Sequence, residues 1–142
     1  MITRQEALLM GANSPKDHQR IISRLIVGLG NLYSMGSLKL EPFPETPLVD
    51  GEPSPVPDVS LFDNVLYETP VIIEVNHAGG IKSDLKKIQA LIDEENYGIV
   101  EGFIFDYKRQ EWHKYKLGKG IIKENPSFCE AISLDLATLL QA

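Results

Sequence analysis

The sequence predicts an α/β fold with a mixed β-sheet flanked by helices, and three observations carry that expectation. The run Pro70-Val71-Ile72-Ile73-Glu74-Val75 is β-branched, apolar on both faces and too short for a helix, which marks a central, buried strand. Residues 82–96 bring Ile81, Leu85, Ile88, Leu91 and Ile92 onto one helical face. A second strand with apolar residues on both faces, Ile99 to Asp106, follows, so the helix between the two strands reads as a crossover.

The remaining elements follow in chain order. Thr3 and Glu6 have the spacing of a capping box, which predicts a short helix over 3–10 ended by Gly11. Ser14 as N-cap, Pro15 in the first helical position and Asp17 in the first turn start a second helix. Ile21, Ile22, Leu25, Ile26 and Leu29 keep helical spacing through Gly30. Residues 42–57 hold six of the nine prolines; proline cannot donate to a ladder, so this loop is an extended surface segment or a sheet edge. Val59 to Phe62 reads as a short strand, Gly79-Gly80 breaks the buried strand, and Gly98 ends the crossover helix. Trp112 to Leu117 alternates like the second arm of a hairpin turned at Lys108-Arg109-Gln110, and Ser133 to Leu140 reads as a closing helix. The organisation expected is one domain over 1–142, with 1–14 as an N-terminal extension.

Composition narrows the functional classes. A chain of 142 residues, 43% hydrophobic and 24% charged, is long enough to bury about two-thirds of the surface it exposes unfolded. A net charge of −6 excludes wrapping of nucleic acid by bulk charge, so such an activity needs a local basic surface or a bound cation. The single Cys129 excludes an internal disulfide and a multi-cysteine metal site; without a His or Asp placed around it, it reads as a small buried apolar residue. Arg4, Gln5 and Glu6 follow the start directly, and no apolar run approaches the roughly 18 residues a membrane span needs. The expectation is a cytoplasmic protein with no membrane partner. No glycine-rich nucleotide-binding loop and no G-x-S-x-G serine motif is present.

The charges are segregated. No basic residue stands between Lys39 and Lys82, a stretch that carries eight acids, whereas residues 107–123 hold six basic residues and one acid. Most of these are solvated surface. Glu74 is not, because it lies in the most apolar strand, where a carboxylate costs several kcal/mol unless paired or metal-bound. Asp58 stands at the mouth of a strand directly after a proline. Asp84 falls about 50° from the centre of its helix's apolar face, where it either enters a cleft or complements the helix dipole. Lys87 sits at the boundary of that face, and Lys86 points further away.

Pro57-Asp58, then Glu74-Val75-Asn76 sixteen residues on, then a lysine-bearing helix, resembles the PD-(D/E)xK restriction-endonuclease-like superfamily. Asn76 stands where that family places a lysine. This departure is similar to a branch of small single-domain bacterial proteins whose second motif is E-V. The further matches are Asp17-His18 near the start of the first long helix, Pro57-Asp58-Val59-Ser60-Leu61-Phe62, Asp84 to Lys87, and Gly98-Ile99-Val100-Glu101-Gly102-Phe103-Ile104-Phe105-Asp106. The likeness runs over about residues 16–140. The branch spaces its helix lysine four residues after the Asp, where this chain has Ile88.

The resemblance implies a restriction-endonuclease-like core and a Mg²⁺- or Mn²⁺-dependent nuclease acting on DNA or a related nucleic acid. Asp58, Glu74 and the carbonyl of Val75 would be the metal ligands, because Mg²⁺ takes oxygen donors and keeps several waters. Lys87, or else Lys86, would stabilise developing negative charge. Asp84, His18 and His77 are accessory candidates. His18 either approaches the cleft or is an exposed first-turn residue, the latter being favoured; His77 is a ligand or an ordinary loop residue. Lys108, Arg109, Lys114 and Lys116 of the hairpin would supply a positive approach for phosphates. The candidate partners are nucleic acid and a second copy of the chain. Two other readings stay open: a degenerate nuclease fold that binds without cutting, and an interaction protein in which the three acids only satisfy structural partners.

Overall fold

The computed structural model describes residues 15–76 and 79–141. The helix expected over 3–10, the Ser14 cap and His77 lie outside the described residues. Helix α1 (Lys16–Ser34) is followed by strands β1 (Glu41–Pro44), β2 (Val59–Asp63) and β3 (Glu68–Asn76). Helix α2 (Ile81–Asp93) leads into β4 (Glu101–Asp106), β5 (Glu111–Lys116) and β6 (Gly120–Ile122). A two-residue pair, β7 (Phe128–Cys129) with β8 (Leu134–Asp135), precedes a 3₁₀ helix, Leu136–Leu140.

The six strands form one mixed sheet in the order β1-β2-β3-β4-β5-β6. Only β3 and β4 are parallel, and α2 is the crossover that joins them. β3 therefore lies inside the sheet, and its alternation feeds two cores. Val71, Ile73 and Val75 pack with Ile22, Leu25 and Leu29 of α1, while Ile72 packs with Ile88 and Ile92 of α2. Glu74 shares the parity of Ile72 and so faces α2. Gly102 sets how closely α2 sits on β4, since a Cβ there would overlap the Ile88 side chain.

Several boundaries differ from the sequence expectation. Pro15 is itself the N-cap of α1, in extended conformation, one position later than predicted. The helix runs past Gly30 to Ser34 because Leu32 and Tyr33 continue its packing. It ends where Gly36, at φ +79°, lets its own N–H reach the Tyr33 carbonyl and that of Ser37 the Leu32 carbonyl. α2 stops at Asp93 rather than near Gly98. The closing helix expected over Ser133–Leu140 is a correction: Leu134 and Asp135 are strand, and only a 3₁₀ turn follows. Asp135 accepts from the Ala137 N–H at 3.1 Å, so its side chain caps a turn where a continuous helix would have needed it as an interior residue.

Candidate active site

The crossover places the end of β3, the start of β2 and the N-terminal turn of α2 at one end of the sheet. Glu45 N–H donates to the Asp58 carbonyl at 3.0 Å, so the main chain of Asp58 faces β1 and its neighbours Pro57 and Val59 face β3. Continuing the Val59–Ile73 register by two residues sets Pro57 opposite Val75. Proline has no N–H to give, so the Val75 carbonyl receives none from its strand neighbour. The Val75 N–H instead donates to Asp58 Oδ2 at 2.7 Å, which pins the carboxylate across the strand end.

On the other side of Asp58 lies His18, whose Nε2 is 3.3 Å from the same oxygen. His18 is only 5% exposed, which corrects the expectation of an exposed first-turn residue. It belongs to the buried stripe His18, Ile22, Leu25, Leu29, so helical phase rather than first-turn position decides its burial.

Glu74 reaches Asp58 from the α2 side. Burial is the largest cause pushing its carboxyl up to about 9; the charge of Asp58, a hydrogen bond shared with Asp58, and the charge of Asp84 add to it. Asp84 is held by Asn76, whose Nδ2 donates to Asp84 Oδ2 at 2.5 Å and to the Gly79 carbonyl at 2.7 Å. Asn76 thus ties the end of β3 to α2. A cavity of about 210 Å³ is lined by Glu74, Val75, Asp84 and Lys87, with Pro57 and Leu91 among its apolar walls. Lys87 lines it one helical turn after Asp84; Lys86 is exposed and does not.

The donor set suits a hard cation more than a soft one. Among the described residues no three His, Cys, Asp or Glu side chains cluster closely enough to hold a metal on side chains alone. Two touching carboxylates beside a main-chain carbonyl without a strand donor leave the remaining positions to water, which is how Mg²⁺ is commonly held. The residues therefore fit the ion that the sequence suggests.

The expectation that Lys108, Arg109, Lys114 and Lys116 supply a positive approach for phosphates is corrected at two of the four. Lys114 is fully buried: its Nζ lies 2.8 Å from Glu101 Oε2 and 2.8 Å from the Phe128 carbonyl, and 5.2 Å from the Phe103 ring centroid. Lys116 is paired with Glu130. Lys108 and Arg109 are exposed in the β4–β5 turn, at the same end of the sheet as the carboxylates. Glu101 also accepts from the N–H groups of Glu130 and Ala131, at 2.9 and 2.8 Å. Cys129 is buried beside it, and burial pushes its thiol up to about 12.

No family model matches the chain, and no curated protein matches it in sequence. Among solved structures, it is similar to a "putative nuclease belonging to DUF820" from Anabaena variabilis ATCC 29413. The TM-score is 0.66 at 17% identity, covering 88% of this chain and 80% of that one. The two share a fold.

Proposed function

We propose that the chain is a nuclease of the restriction-endonuclease-like kind, hydrolysing phosphodiester bonds of DNA or a related nucleic acid with Mg²⁺ or Mn²⁺. The observation that carries this reading is the meeting of Asp58 and Glu74 at the strand end, with Asp84 close by. Among the described residues no Lys or Arg forms an ion pair with any of the three. Such a set is costly without a cation and matches the need for one in phosphodiester hydrolysis. The shared fold with a protein named as a nuclease supports the same reading.

Asp58, Glu74 and the Val75 carbonyl would hold the ion, which when bound activates a water and neutralises phosphate charge. The chain's own contributions are positional and electrostatic. His18 and the Val75 N–H fix Asp58 from both sides. Asn76 fixes Asp84 against the cleft. Lys87, on the cleft wall, brings an ammonium to the phosphoryl oxygens as negative charge develops there.

Cleavage of single- and double-stranded DNA by wild type, Lys86→Ala and Lys87→Ala, with Mg²⁺ or Mn²⁺, tests this. Lys87→Ala should slow cleavage on the order of 10² to 10³-fold, with little change in divalent affinity because an ammonium is not a ligand. Equal rates in all three remove Lys87 from the mechanism. One observation favours a second reading, a nuclease fold that binds without cutting: Asn76 supplies an amide where the family has an amine, and that amide is already engaged. DNA binding without cleavage under any divalent ion would select it.

A further inference from the structure

We infer that a cavity between α1 and the β4–β5 turn is a docking site for the phosphodiester backbone of a nucleic-acid strand, on the α1 side of the sheet end at which the carboxylates stand. The identity of the ligand rests on the nuclease reading above; the site itself rests on separate residues.

The cavity has a volume of about 330 Å³ and is lined by Asp17, Arg20, Ile21, Arg24, Tyr107 and Gln110. The four α1 residues stand at i, i+3, i+4 and i+7, one face of the helix beside its buried stripe. Arg20 and Arg24 are one turn apart, and a guanidinium fork matches phosphate oxygens bidentately. Arg20 is paired with Asp17, whereas among the described residues Arg24 has no carboxylate partner.

The far wall is built to stay in place. Asp106 Oδ1 accepts from the N–H groups of Lys108 and Arg109, at 3.1 and 3.3 Å, and Gln110 Nε2 donates to the Tyr107 carbonyl at 2.6 Å. This turn holds the half-buried Tyr107 ring at the cavity and leaves Lys108 and Arg109 exposed beside it. Its position is fixed relative to the cleft, since Asp106 is in register with Asn76, two residues beyond Glu74. Arg20, Arg24, Lys108 and Arg109 thus border the end of the sheet at which Asp58 and Glu74 stand. In a chain of net charge −6, a polyanion approaches only where cations are concentrated.

The test is fluorescence anisotropy with a short labelled single-stranded DNA and its duplex, in EDTA so that nothing is cut. The proteins compared are wild type, Arg20→Gln/Arg24→Gln, Asp17→Asn and Lys119→Gln/Lys123→Gln, the last removing equal charge from the two ends of the edge strand β6. The arginine pair should weaken binding by about tenfold or more and reduce the slope of log K against log salt by about two. Asp17→Asn, which frees Arg20, should tighten binding, an outcome no folding defect produces. The lysine pair should stay near wild type. The site is overturned if the arginine pair loses no more than the lysine pair, if Asp17→Asn binds no more tightly, or if wild type binds neither DNA. A wild type that cuts DNA while the arginines prove dispensable removes this site and leaves the nuclease reading. A wild type that binds through the arginines and never cuts keeps the site and removes the nuclease.

Discussion

Glu74 and Glu101 lie in neighbouring parallel strands, the first half-buried and the second fully buried, and the chain treats them in opposite ways. Glu101 faces the α1 side with Phe103, where Lys114 and two backbone N–H groups meet its oxygens. Its charge closes the C-terminal segment over the sheet. Glu74 faces the α2 side and meets two further acids. A buried carboxylate satisfied on every side is architecture; one placed against its own kind carries a cost that an opposite charge would relieve.

The comparison breaks most visibly at Glu101. Lys114→Met leaves that carboxylate buried without its cation and should cost about 3–5 kcal/mol in urea unfolding. Adding Glu101→Gln, which removes the uncompensated charge and keeps an acceptor for one of the Glu130 and Ala131 N–H groups, should restore part of the loss. Failure of the second change to rescue the first would show that the ammonium matters for its packing on Phe103 rather than for its charge.

The opposite sign is expected at Glu74. Its folded-state pKa is raised, so the fold favours the neutral carboxyl. That advantage is complete below the ordinary value of 4.5 and is lost as pH rises toward about 9. Glu74→Gln should therefore stabilise the metal-free protein by about 3 kcal/mol at pH 7, and by nothing near pH 4. Melting curves across that range check it. A destabilised Gln variant at pH 7 would place Glu74 in the same structural class as Glu101.

A smaller effect sharpens the role of α2. Gly102→Ala pushes Ile88 off β4 and should cost about 1–2 kcal/mol. Because the Asp84 charge that acts on Glu74 rides on that helix, the proposed Mg²⁺ site predicts a smaller Mg²⁺-induced rise in melting temperature for the same change. An unchanged rise would show that the cation is held by the strand residues alone.

Much of this was legible in the sequence, wherever one strong period dominated. The β-branched run fixed β3, the apolar face fixed α2, and an acid inside the apolar run singled out Glu74. What escaped depended on contacts distant in sequence. The alternation of Trp112, Lys114 and Lys116 places all three on one face, but nothing local says that residues 126–131 fold over that face and bury Lys114. His18 was legible by phase and obscured by its first-turn position. The strands β6, β7 and β8, each of two or three residues, are too short to carry a pattern.

The edge strand β1 carries a last consequence. It pairs with β2 through Glu41 and Phe43, whose partners are Phe62 and Ser60. By the parity that turns Asp58 toward β1, the alternate residues Pro42 and Pro44 direct their nitrogens away from the sheet. An edge normally offers outward N–H groups to any extended chain that drifts past, and these two positions have none to offer. The margin of the sheet nearest Asp58 is therefore closed to strand addition. Self-association through the backbone at this margin, the ordinary route from a native sheet to an aggregate, is blocked by covalent structure rather than by charge.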